Sequence, residues 1–332
     1  MHIPDGFLTL PVAAATGVAA ATAVGYAARR AGREMGESAV PVLGVSAAFI
    51  FAAQMLNFPV LAGTSGHFVG GLLACLVVGP WNGVVVMTAI VLLQALLMGD
   101  GGLTALGANV LNMAVVGGLL PWLLVRALGG SVRHTRTSYL AVAGVAAWLA
   151  VVLASAACAV ELAVSGTAPV GAVLPAMVLV HSVIGIGEGL LTVGIIGVLL
   201  SSRPELLRGY PPPLSLSPSP AGFRKRAWGV AVTGLVVAVL LAVFVAPWAS
   251  SQPDGLERVA ETQAFTDRAT DQVAAQTPLF DYQFPLLGDT PWSTSAAGAM
   301  GTVVLFGLVV LLGRALGRRA SPDGAEIGHD GT

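Results

Sequence analysis

The sequence predicts an all-α protein, a polytopic membrane helical bundle of seven helices followed by a two-helix hairpin. Three observations carry this. Of 332 residues, 55% are hydrophobic and only 10% charged, against about a quarter charged in a water-soluble domain. Mean hydropathy is +0.83, and the 42 glycines suit helices that pack in lipid. The apolar residues fall in runs of about 20, the length that crosses a hydrocarbon core of roughly 30 Å. Cys75 and Cys158 lie inside such runs and read as small buried hydrophobes, without disulfide or zinc spacing.

In chain order the runs predict spans at 7–28, 39–62, 67–79, 80–98, 105–127, 138–163, 172–200, 227–247 and 298–316. Pro80 interrupts a continuous apolar stretch, so 67–79 is short for a full crossing and reads as tilted or as starting in the interface. The first span carries small residues at Ala13, Gly17, Ala21 and Gly25, a spacing that lets helix backbones approach closely. The first seven spans form one unit, 1–200. A Pro/Ser-rich stretch, 201–226, cannot be a regular helix throughout and reads as a cytoplasmic tether. The hairpin unit, 227–320, encloses an external loop, 248–297, with seven acids and two arginines, a net charge of −5. Residues 321–332 form a cytoplasmic tail.

The basic residues orient this arrangement. Fourteen of the sixteen lysines and arginines fall on one side of nine spans, leaving only Arg258 and Arg268 on the other. The positive-inside rule then places the amino terminus outside and the carboxyl terminus in the cytoplasm.

The first residues, Met1-His2-Ile3-Pro4-Asp5-Gly6-Phe7, have no basic run before the first span and do not read as a signal peptide. Alone, His2 is a solvated histidine at a chain end. Yet the Met1 amine, the His2 backbone nitrogen and its Nδ1 can close a five- and a six-membered ring on one ion. Nitrogens so arranged suit Ni(II) or Cu(II), with Co(II) also accommodated. The predicted topology puts His67, in Thr64-Ser65-Gly66-His67, on the same side, where its Nε2 completes a four-nitrogen set. Thr64, Asp100, Asn109 and Asn112 are candidates to orient the imidazole. His181 and Glu188 lie seven residues apart on one face of the seventh span. They are a metal relay or, preferred here, a polar contact that locks the bundle, and Gln94 is read the same way.

Some functions are excluded. The chain has one lysine, Lys225, in a setting that does not fit a G-x-x-x-x-G-K-[ST] phosphate loop, so no ATP site is expected. No nucleophile–base pair suggests an enzyme, and nothing suggests nucleic-acid binding.

Four blocks, MHIPDGFL at the start, AGTSGHFVGG (62–71), LLQALLMGDGGLTALGANVLNM (92–113) and HSVIGIGEGLLT (181–192), resemble the CbiM/NikM family. These are substrate-capture (S) components of cobalt/nickel energy-coupling-factor (ECF) transporters. PDGLE at 253–257 resembles the signature of the small accessory component of those systems (CbiN/NikN), a two-helix hairpin with an external loop, so the chain looks like a fusion of the two. The resemblance implies a seven-helix bundle with its amino terminus folded in from outside. It implies Co²⁺ or Ni²⁺ as transported substrate, held by the Met1 amine, the His2 backbone nitrogen and imidazole, and the His67 imidazole. It also implies partners in the plasma membrane: a transmembrane coupling (T) subunit and two cytoplasmic ATPase subunits. The other readings are a metal-sensing regulatory membrane protein and a proton-coupled secondary transporter.

Overall fold

The computed structural model describes residues 1–34, 36, 39–60, 63–132, 135–207, 220–270, 274–288 and 290–319. The tail 321–332 and residues 208–219 of the 201–226 tether lie outside these residues, as do Arg133, Asp271 and Asp289. Among the described residues, seven helices are long and apolar enough to cross a membrane, and the apolar helix over Val40–Gln54 is shorter.

Helix α1 (Leu10–Glu34) leads into α2 (Val40–Gln54), which starts with proline in its first turn; that position needs no N–H donor. The chain then leaves helix earlier than the sequence predicts. Residues after Gln54 form a loop in which β1 (Phe58–Pro59) pairs antiparallel with β2 (Ser65–Gly66). His67 to Gly70 run irregularly into α3 (Gly71–Val78), which has only eight residues. At 1.5 Å per residue α3 rises about 12 Å, too little to cross a bilayer alone. The predicted 67–79 span is therefore a loop plus a short helix.

Gly79 (φ 90) and Pro80 turn α3 sharply into α4 (Pro80–Leu93). The two pack so closely that a Cβ on Gly83 would lie 2.8 Å from the Cys75 backbone nitrogen. α4 ends in a π-helical turn, Gln94–Met98. Helix α5 (Leu106–Val110) passes through a second π segment, Leu111–Leu119, into α6 (Leu120–Val132). Such π segments frequently accompany functional sites. α7 (Arg136–Val164) and α8 (Val170–Ser202) form a long hairpin. Gly189 fits within 2.9 Å of the Gly144 carbonyl oxygen, measured from where a Cβ would stand.

α9 (Pro220–Phe244) and α11 (Pro291–Arg319) pack on each other and on α2. Gly44 of α2 accommodates Val310, and Gly234 of α9 accommodates Val45. Between them, the 248–297 segment holds α10 (Gly255–Thr262) and short 3₁₀ turns at Thr266–Arg268, Ala274–Gln276 and Phe280–Tyr282. Of the small-residue stripe on α1, Gly17 is closely approached by Gly107 of α5, whereas Gly25 faces open space.

Candidate metal centre

The first nine residues are pinned into the bundle by polar contacts spaced along them. Ile3 donates its N–H to Asn109 Oδ1 (2.8 Å), and its carbonyl accepts from Asn109 Nδ2 (3.0 Å) and the Gly102 N–H (2.9 Å). Asp5 Oδ1 accepts from the Thr104 N–H (2.7 Å) and hydroxyl (2.5 Å), and the Asp5 carbonyl accepts from the Thr270 N–H (2.9 Å). The Thr167 hydroxyl donates to the Phe7 carbonyl, and the Thr9 N–H to Ser165 Oγ (3.2 Å). Only glycine fits at 102, since a Cβ there would stand 2.3 Å from the Asp5 nitrogen. Between these ties, Met1, Ile3 and Phe7 are buried with Ala108, Cys158, Leu162, Leu256 and Phe265. Burial of an Ile or Phe side chain is worth about 1.5–3 kcal/mol.

This packing brings three of the predicted donors to one place. The Met1 nitrogen lies 2.8 Å from His67 Nε2. The His67 Nδ1 faces the Phe68 carbonyl (3.2 Å), so Nδ1 carries the proton and Nε2 is left to accept from the amine. The His2 and His67 rings are stacked, with centroids 5.6 Å apart and planes inclined by 12°. His2 Nδ1 donates to Asp100 Oδ1 at 3.0 Å, and His2 Nε2 is buried without a hydrogen-bond partner.

The second unit of the chain supplies the rest. Asp254 Oδ2 accepts from the Met1 ammonium and stands 3.9 Å from His67 Nε2. Its other oxygen caps α10, accepting from the Leu256 (2.8 Å) and Glu257 (2.9 Å) N–H groups, while Glu257 accepts from the Asp254 N–H. This reciprocal capping box fixes the carboxylate with Oδ2 aimed at the amine. Gly255 follows because a Cβ would lie 2.6 Å from His181 Cε1. The Tyr282 hydroxyl donates to Asp100 Oδ2 (2.6 Å) and accepts from Gln94 Nε2 (3.2 Å).

The charges are interdependent. Burial alone would strip the Met1 ammonium of its proton, but Asp254 foremost, then Asp100 and Glu257, outweigh it and raise its pKa. His67 is pushed down to about 3, by burial first and then by the neighbouring ammonium and His2. Burial would raise Asp254, yet the ammonium and His67 hold it below the usual carboxylate range. His2 and then Tyr282 do the same for Asp100.

The other predicted residues are distributed around this centre. Asn109 holds the backbone of Ile3 and does not touch His67. Asn112 donates to Glu161 (2.7 Å). Thr64 is buried, and its carbonyl accepts from Val60. His181 lines a small cavity, about 10 Å³, together with Met1, His67, Asp254 and Gly255, with its Nδ1 against the Met177 carbonyl (2.9 Å). Glu188 accepts from the Val69 (2.7 Å) and Gly70 (2.8 Å) N–H groups; it holds the loop that carries His67. Among the described residues, no three His, Cys, Asp or Glu side chains gather closely enough to hold an ion by themselves.

Sequence reasoning treated Asp254 as one of seven loop acids and passed over Tyr282 and Glu161. For Asp254 a signal existed: Asp followed three residues later by Glu is a capping pattern, which fixes where the carboxylate points. Nothing local in the sequence marks Tyr282.

Comparison with known proteins identifies the family. A family model described as "Cobalt uptake substrate-specific transmembrane region" (CbiM) matches residues 2–206, and the PDGLE domain model matches 228–318. A "Putative metal transport protein" of Haloquadratum walsbyi is 43% identical over 62% of this chain and 93% of its own length. A "Putative fused nickel transport protein NikMN" of Archaeoglobus fulgidus is 33% identical over 96% of this chain and 99% of its own. The crystal structure of a truncated transition metal transporter covers 60% of this chain and 99% of its own, with 29% identity and a TM-score of 0.54. The chain belongs to the CbiM family of multi-pass membrane cobalt/nickel transport components, and carries a PDGLE domain behind the CbiM region.

Proposed function

We propose that this chain is the substrate-capture subunit of an ATP-driven, ECF-type importer, and that it takes Co²⁺ or Ni²⁺ through the Met1 amine, the His2 backbone nitrogen and imidazole, and the His67 Nε2. The observation that carries this is the 2.8 Å separation of the Met1 nitrogen from His67 Nε2. Two donors at right angles around an ion, each at about 2.0 Å, stand about 2.8 Å apart. The observed separation supports the reading because it is the length of one edge of such a donor square. Loading releases protons from the amine and the amide. It also requires His2 Nδ1 to leave Asp100 and give up its proton to water.

The rest of the reading follows from the chain's organisation. The region 1–200 captures the ion and the 227–320 unit covers it, joined by the 201–226 tether. The bias of arginines puts the amino terminus outside, where a nutrient ion arrives, and the carboxyl terminus in the cytoplasm. With no phosphate loop in the sequence, ATP use falls to partner subunits, a transmembrane coupling protein and two cytoplasmic ATPases.

The test is uptake of radioactive Ni²⁺ or Co²⁺ by cells expressing the chain with and without those partners. The reading requires ATP-dependent uptake with them and little without. Uptake driven by a proton gradient, indifferent to ATP, would contradict it and favour a secondary transporter.

A further inference from the structure

We infer that Asp254 is itself a metal ligand: one carboxylate oxygen from the PDGLE segment joins the four nitrogens, so the captured ion is at least five-coordinate. The inference rests on the four-nitrogen reading above and adds a donor to it.

Three features point this way. The first is distance. Donors of one ion at 2.0–2.1 Å can be no more than about 4.1 Å apart. Asp254 Oδ2 is in contact with the Met1 nitrogen and 3.9 Å from His67 Nε2, and those two nitrogens are 2.8 Å apart. The three atoms lie within the span of one donor shell, with Oδ2 nearly opposite His67 Nε2, so the carboxylate has to shift off that axis where the His2 backbone nitrogen binds. The second is orientation. Oδ1 is committed to the Leu256 and Glu257 N–H groups, so the side chain cannot turn away without opening the capping box, and Oδ2 is the oxygen left for the site. Gly255, wedged against His181 and Ile184, keeps the start of α10 seated at that depth. The third is freedom to bind. Among the described residues, Oδ2 makes no polar contact beyond the Met1 nitrogen and the His67 ring, so no group outside the site holds this oxygen away from an ion.

The experiment uses the full chain with its authentic amino terminus, purified in detergent and loaded with Ni²⁺ alone. X-ray absorption and magnetic susceptibility then count the donors and read the spin state. The inference expects wild-type protein to hold paramagnetic Ni²⁺ with an oxygen among at least five donors. Asp254→Asn, in which asparagine still caps the helix, should become four-coordinate and diamagnetic, with affinity lower by at least tenfold. Four nitrogens in a plane in the wild type, unchanged by Asp254→Asn, would overturn this inference and leave the nitrogen site standing. Wild-type protein that binds no Ni²⁺ would overturn both. The donor count of the wild type decides the matter even if the variant folds poorly.

Discussion

Asn109 shows how single side chains set this site. A carboxamide has one acceptor and one donor side, and here they engage the N–H and C=O of Ile3 together. This fixes the residue next to His2 without touching a metal donor. Each such bond is worth about 1 kcal/mol, so Asn109→Ala should cost about 2 kcal/mol of amino-terminal docking, roughly thirtyfold in Ni²⁺ affinity. Calorimetry on the folded protein checks this; an unchanged affinity would mean that docking is not limiting. His67→Ala removes a donor outright and should weaken binding by about a hundredfold or more, with helix content by circular dichroism unaltered. At this scale the sequence was half legible. It singled out Met1, His2 and His67, but assigned Asn109 and Asp100 to His67, whereas they serve Ile3 and His2. Residue type told that these side chains would hydrogen-bond. It could not tell to what, because the 92–113 block bends through a π turn and the Gly99 and Gly101 positive-φ positions before it reaches the site.

At the scale of elements, α10 is the part that makes the second unit matter to the first. It has only eight residues, too few to persist alone in water. It is held by the capping box and by Leu256, Val259 and Ala260, buried in the same cluster as Met1 and Ile3. Gly255→Ala would place a Cβ 2.6 Å from the His181 ring, whereas Gly171, with open space where its Cβ would be, is the control. The first should lift α10 and lower Ni²⁺ affinity several-fold, and the second should not; equal effects would show that α10 docking is irrelevant to capture. Glu257→Ala removes half of the capping box, worth about 1 kcal/mol, and should act in the same direction but more weakly. The long helices were legible in the sequence, since a run of apolar residues needs no partner to be recognised. It overextended the second span and read the loop before α3 as helix, because loops packed inside protein look as apolar as helices facing lipid.

Across the whole molecule, the amino terminus and residue 254 meet although some 250 residues of chain separate them. Such a contact has no local signature, which is why the sequence predicted two units but not their shared site. The PDGLE unit thereby contributes a side chain that touches the Met1 nitrogen. Deleting 253–290 should leave the long helices inserted but reduce Ni²⁺ uptake at limiting metal by tenfold or more. Unimpaired uptake would show that the loop takes no part in loading.

The central claim is that the chain's own first nitrogen grips the ion. Its most direct test is the metal content of protein purified after growth in Ni²⁺, with the authentic amino terminus in one preparation and a single added alanine before Met1 in the other. The account predicts close to one ion per chain in the first and almost none in the second, since the extension converts the amine to an amide and crowds the buried pocket. Equal metal in both would contradict it.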